Sequence, residues 1–294
     1  MNFKTKAQQH QLGYFSDCNQ SGIEKAGRAQ DHWLNHEAAA LGNNFYDSYG
    51  IFKAAKDSRG NKQDTPEWFY DTLRSQHIPF NFFIPFNTEK ELGIAAFNDL
   101  FNTSIKEIKD IRIEYPPKYQ NPLGDKTSFD AFISYIAEDG KKGLLGIEVK
   151  YTEGGYSPTD REKLELENKE SAYFKATERS KLYIDSKVDR LKENNYRQIW
   201  RNHILAFCFA RTKGYKYYKS VTIYHEGNTH FLEAFKEYDA FLTDKGKETI
   251  QAITYAEFVA ALQKHVVTEE QREWVEYLKE RYNVSIENSK NIVG

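Results

Sequence analysis

Residues 128–152 read S-F-D-A-F-I-S-Y-I-A-E-D-G-K-K-G-L-L-G-I-E-V-K-Y-T. Two β-rich runs, 128–136 and 144–152, flank the turn signal Glu138-Asp139-Gly140, which is the pattern of a β-hairpin. Asp130 stands near the start of the first run, and Glu148 and Lys150 stand near the end of the second. Centring the turn on Asp139 puts Asp130 across from Glu148; centring it on Gly140 puts Asp130 across from Lys150. In either register the three side chains share one face, because strand side chains alternate with period two, and Ile147 and Val149 point to the other face. Opposed carboxylates repel. A divalent cation removes that repulsion, and hard carboxylate oxygens suit Mg2+ or Mn2+. A lysine two residues from such a ligand can orient an attacking water or neutralise charge developing on phosphorus. The same residues also make a plain cross-strand salt bridge, which is their use in an arbitrary hairpin.

Working outward, 108–115 is a strand candidate that ends at Pro116–Pro117. Upstream, Thr88 and Glu91 have capping-box spacing at the start of a helix whose apolar face is Leu92, Ala96 and Leu100 with Phe97 and Phe101. The first 80 residues read as a helical layer, with helices expected over Ile23–Leu41 and, after Pro66, over 67–76. The apolar run 80–86 covers the core. Downstream come charged, helix-prone sequence over 160–193, a helix over 197–211, a strand over 221–226, and helices that include 253–263 and 269–282. This order predicts an α/β or α+β layer fold.

The chain has 294 residues and 15% aromatics, too long and too aromatic for disorder. No apolar run reaches the roughly 18 residues of a membrane span, and the N-terminus lacks the apolar core of a signal peptide. With only Cys18 and Cys208, a cytoplasmic location is expected. His32 and His36 have zinc-compatible spacing but no third ligand. The net charge of −2 is uneven: residues 175–219 hold twelve Lys or Arg and four acids, while the flanking parts are each −5. A polyanion responds to the local field. The tyrosines 215, 217 and 218 interleave with Lys213, Lys216 and Lys219, as in stacking surfaces for nucleobases and equally in a Tyr-rich strand edge.

The run from Asp130 to Glu148-Val149-Lys150 resembles the catalytic hairpin of the PD-(D/E)XK nuclease superfamily, in a bacterial restriction-endonuclease-like branch. Phe97-Asn98 on the preceding helix and Gln198-Ile199-Trp200-Arg201-Asn202-His203 on the following one carry the resemblance further, over roughly residues 88–226. It implies a central mixed sheet flanked by helices: a nuclease-like core at 88–226, an N-terminal helical extension at 1–87 and a mainly helical C-terminal part at 227–294. It implies a Mg2+- or Mn2+-dependent nuclease acting on phosphodiesters, with double-stranded DNA as partner, a role in restriction or phage defence, and a homodimer for double-strand cleavage. The alternative is a non-cleaving nucleic-acid-binding or scaffold protein that keeps the fold. Asp130 and Glu148 would ligate the metal, joined by an acid from the preceding helix, Glu89 or Glu91, with Glu91 preferred. Lys150 would assist the water, with Gln198 beside the active site. Arg197, Arg201, His203, Lys213, Lys216 and Lys219 would hold nucleic acid. One departure is Phe129, where the superfamily often has proline.

Overall fold

The computed structural model describes residues 2–16, 24–25, 28–29, 31–60, 67–115, 123–124 and 127–284. Cys18, Pro66 and Pro116–Pro117, named above, lie outside them. The hairpin forms as its sequence directs. Strands β2 (Phe129–Ala137) and β3 (Lys142–Lys150) pair antiparallel, with Ala131 opposite Ile147, the register of a turn centred on Asp139. Two glycines of β3 let cross-strand rings lie flat on it. A Cβ on Gly143 would stand 2.1 Å from the Tyr135 ring, and one on Gly146 would stand 2.4 Å from the Phe129 ring.

Strand β1 (Ile105–Tyr115) pairs antiparallel with β2, while β4 (Tyr217–Tyr224) and β5 (Ile250–Thr254) add in parallel beyond β3. The sheet order is therefore β1-β2-β3-β4-β5. Strand β5 went unread in the sequence because Ile253 and Thr254 were taken into the helix that follows. Thr254 in fact caps that helix, its side chain accepting from the Glu257 N–H while Glu257 returns the bond.

Helices cover both faces. On one face, Ala131, Ile133, Leu145, Ile147 and Val149 pack with α2 (Ile78–Phe83), α3 (Lys90–Phe101), α8 (Tyr255–His265) and α9 (Glu269–Tyr282); Ala7 of α1 (Phe3–Tyr14) joins this core. On the other face, Phe129, Phe132 and Leu144 pack with α5 (Ala172–Ser180) and α6 (Arg197–Lys213), and with residues of α4 (Asp160–Glu167) and α7 (Thr229–Tyr238). Most of the aromatic share is used here; Phe82, Phe83, Phe86 and Phe97 are wholly buried.

Two local expectations need correction. Residues 23–41 are not one helix: Glu24–Lys25 and Arg28–Ala29 form a two-stranded ribbon, and a helix spans only His36–Leu41. Asn35 caps that helix from its side chain, which stops it growing upstream. Nor does Thr88 form a capping box with Glu91. The chain enters α3 from a tight turn at Ile84–Asn87, where the Pro85 carbonyl takes the Thr88 hydroxyl and the Thr88 and Glu89 N–H groups. Residues 67–76 form a short helix at Glu67–Tyr70 and a 3-10 turn at Ser75–His77.

Candidate active site

Beyond the Ala131–Ile147 pair, β2 and β3 part, while β3 stays paired to β4 as far as Lys150. The Val149 N–H that the ladder no longer uses donates to Asp130 Oδ2 at 2.7 Å. This bond fixes the Asp130 carboxylate at the fork. Two residues of the sheet's α6-facing side complete the cluster. Glu148 Oε1 accepts from Lys150 Nζ at 2.6 Å and from Gln198 Nε2, on the first turn of α6, at 2.7 Å. Asp130, Glu148 and Gln198 line one cavity of about 670 Å3, shared with Tyr156, Tyr173, Arg201 and Asn202.

Electrostatics follow from this crowding. Burial, and then the Glu148 charge, push the Asp130 carboxyl well above the usual carboxylate range; Lys150 and the Val149 N–H pull the other way. Burial alone would lower Lys150, but Glu148, Asp130 and Glu153 hold its ammonium above the ordinary lysine value. That direction favours the charged form of Lys150. Glu153 is itself tied down. Its carboxylate accepts from the Tyr151 N–H and from the Ser75 N–H, both at 2.9 Å, which joins the end of β3 to the N-terminal part of the chain.

Sequence reasoning missed Glu114. The β1–β2 register, Ile113 to Ala131 and Tyr115 to Phe129, sets Glu114 beside Asp130 on the side away from Glu148. Its φ of 52° is left-handed, a costly conformation for a residue with a side chain. Burial, and then Glu148, raise its carboxyl. Only the ladder register reveals it, because in the sequence Glu114 is one acid in an alternating charged strand. Glu91 is not brought to this cluster. It is exposed at the start of α3, which packs on the opposite face of the sheet from Glu148, and its neighbour Glu89 accepts from Gln271 Nε2 at 2.6 Å.

The expected phosphate contacts divide. Arg201 lines the cavity, donating to Glu162 Oε1 at 2.9 Å, to Thr127 and to the Tyr156 and Tyr173 hydroxyls. Lys213 and Lys216 are exposed, but they flank the start of β4. Since Tyr217 pairs with Gly143, they stand about five strand residues, or roughly 16 Å, from the level of Glu148. Three residues correct the expectation. Arg197 is 1% exposed and held by Asn194, the Tyr156 carbonyl and Glu162. His203 is wholly buried between the Tyr183 and Thr249 hydroxyls, and burial lowers its pKa to about 3. Lys219 caps α3, donating to the Phe101 carbonyl at 2.6 Å. The resemblance's Phe97-Asn98 pair builds the fold: Phe97 is core, and the Asn98 amide bonds both N–H and C=O of Ile105.

Among the described residues, no three His, Cys, Asp or Glu side chains already converge as a metal site. The donor set nevertheless fits a hard cation: carboxylates of adjacent strands, raised by burial and mutual repulsion, at a polar-lined cavity. A profile of the PD-(D/E)XK nuclease superfamily matches residues 2–284, and the chain belongs to that superfamily. No curated protein and no solved structure matches the chain. Among the described residues no helix is long and apolar enough to cross a membrane.

Proposed function

We propose that the chain is a metal-dependent nuclease that hydrolyses phosphodiester bonds, with double-stranded DNA as substrate. The observation that carries this reading is the convergence of Lys150 and Gln198 on Glu148, which lines one cavity together with Asp130 and Gln198. Asp130 and Glu148, with Glu114 beside them, would hold Mg2+ or Mn2+. The ion supplies Lewis-acid stabilisation of charge on the phosphoryl oxygens. Lys150, held protonated, donates to the attacking water or to a phosphoryl oxygen and offsets the charge that grows there. Gln198 keeps the Glu148 carboxylate in one rotamer. Arg201, which lines the cavity and donates to the Tyr173 hydroxyl at 3.0 Å, would meet an incoming phosphate. A role in restriction or defence against foreign DNA, and a homodimer that pairs two such sites for double-strand cleavage, extend the same reading.

A second reading, a nucleic-acid-binding protein without cleavage, draws on the close Lys150–Glu148 pair, which satisfies Glu148 without a metal. One experiment separates the two. Plasmid DNA is incubated with the protein and Mg2+ or Mn2+, beside Asp130→Ala and Lys150→Ala. Cleavage by wild type and by neither variant supports the nuclease. Binding without cleavage in either metal sinks it.

A further inference from the structure

Three bases that are distant in sequence meet at a second cavity. Arg179 near the end of α5, Arg211 near the end of α6 and Lys245 in the short helix Asp244–Glu248 line a space of about 460 Å3 with Phe207, Cys208 and Thr212. Among the described residues no carboxylate lines it. Among the described residues none of the three bases is in an ion pair, although nearby Lys175 and Lys247 are paired with Glu170 and Asp239. Two of the three are pinned by backbone: Arg179 Nε donates to the Lys175 carbonyl at 3.2 Å and Lys245 Nζ to the Ser180 carbonyl at 2.9 Å. The Ser180 carbonyl belongs to the last turn of α5, which attracts cations, and the Lys175 carbonyl lies one turn earlier. That role uses one donor from each side chain. It leaves the rest of both groups, and the whole Arg211 guanidinium, facing a concave space.

We propose that this cavity binds a phosphate group, with Arg179, Arg211 and Lys245 as its donors and Phe207 as an apolar wall for the adjoining sugar or base. Three like charges held together in one concavity focus the field on an anion. Guanidinium forks match phosphate oxygens in geometry. The volume falls within the range of about 300–1,000 Å3 usual for small-ligand sites. The site is distinct from the catalytic cavity: Arg211 lies thirteen residues beyond Gln198 on α6, roughly 20 Å along the helix. The phosphate has two sources, a free nucleotide or a backbone phosphate of a bound polynucleotide. In the second case, which rests on the nuclease reading, the contact falls about six phosphate steps from the reacting bond at 3.4 Å per step.

The test uses the full chain in EDTA, so that cleavage plays no part. Calorimetric titration with inorganic phosphate and with ATP, and anisotropy of a labelled 24-base-pair duplex across a salt series, compare wild type with two variants. One variant is Arg211→Gln, an exposed residue with no hydrogen bond or ion pair to lose among the described residues; the other is Arg179→Gln/Arg211→Gln/Lys245→Gln. A tenfold or greater loss of ATP or phosphate affinity in the triple variant, with a smaller loss in the single one, establishes a free-ligand site. Loss confined to the duplex, with the salt slope smaller by about one to two, establishes a backbone contact. If phosphate, ATP and duplex all bind the variants as they bind wild type, the bases only cap helix ends and the proposal is wrong. Plasmid cleavage by Asp130→Ala is a separate measurement, so the nuclease reading can fail without touching this result.

Discussion

Lys150→Met tests the electrostatic core of the site without any metal or substrate. Methionine keeps the aliphatic stem and removes the charge. In the native protein Lys150 Nζ is 2.6 Å from Glu148 Oε1, with the two side chains only 10% and 9% exposed. Breaking a buried pair from one side costs about 3–5 kcal/mol. The variant should therefore lose about 3–5 kcal/mol at pH 7, or roughly 6–20 °C in Tm at about 2–4 °C per kcal/mol. Urea unfolding in EDTA at pH 7 reads the value. The double variant Lys150→Met/Glu148→Gln should recover most of the loss, a coupling of about 2–3 kcal/mol. A pH 7 deficit under about 1 kcal/mol, or no recovery in the double variant, would refute the buried-pair account.

Three further outcomes are expected. Glu114→Gln should raise Tm in EDTA by removing a carboxylate beside Asp130 and weaken Mn2+ binding tenfold or more by calorimetry; unchanged Mn2+ affinity removes Glu114 from the donor set. Gly146→Ala should cost about 1–3 kcal/mol by displacing the Phe129 ring, 2.4 Å from the new Cβ, within its packing on Phe132 and Phe209; Gly146→Ala/Phe129→Leu should restore stability, and no recovery means that the ring is not the obstacle. Burial lowers His203 to about 3 and His225 to about 4, so the stability of their neutral forms is complete above pH 6.5 and is lost as pH falls toward those values. The loss is about 1.4 kcal/mol per pH unit for each; His203→Gln should flatten the acid limb of a Tm-against-pH curve, and an unaltered limb contradicts this.

What the sequence disclosed and what it withheld divide along the range of the interactions. The hairpin was legible because turn residues, alternation and strand length act locally. The register with Asp130 opposite Glu148 needed only the choice of turn centre. Gln198 came from the resemblance; the geometry then puts it 2.7 Å from Glu148. Strand β5 was hidden because Ile250–Thr254 pairs with β4, some 30 residues earlier, and sits directly against a good helix start. Arg197 and His203 were misread for the reverse reason. A base on a helix reads as surface until the tertiary fold surrounds it, and here Glu162, Tyr183 and Thr249 arrive from other elements to satisfy them. Glu91 came from the resemblance, as an acid on the helix before the hairpin, yet the sheet itself stands between α3 and Glu148.

The placement of Glu114 and Glu162 explains how a chain of net charge −2 presents a cavity to a polyanion. Glu162 meets both Arg197 and Arg201, so an acid from α4 offsets one of the two positive charges at this wall. Lys150 likewise neutralises Glu148. Asp130 and Glu114 remain without a basic partner at hydrogen-bond distance among the described residues, and burial raises both. As built from protein atoms alone the cavity repels phosphate, and a bound divalent cation would reverse the sign at the fork between β2 and β3. Nucleic-acid affinity at this cavity should therefore depend on divalent ions far more than on the exposed Lys213 and Lys216, which stand at the other end of β3. Replacing Asp130 and Glu114 by their amides should then strengthen metal-free DNA binding while abolishing its response to Mg2+ or Ca2+. If binding of the doubly substituted protein still rises with added metal, the carboxylates at the fork are not what controls the approach of phosphate.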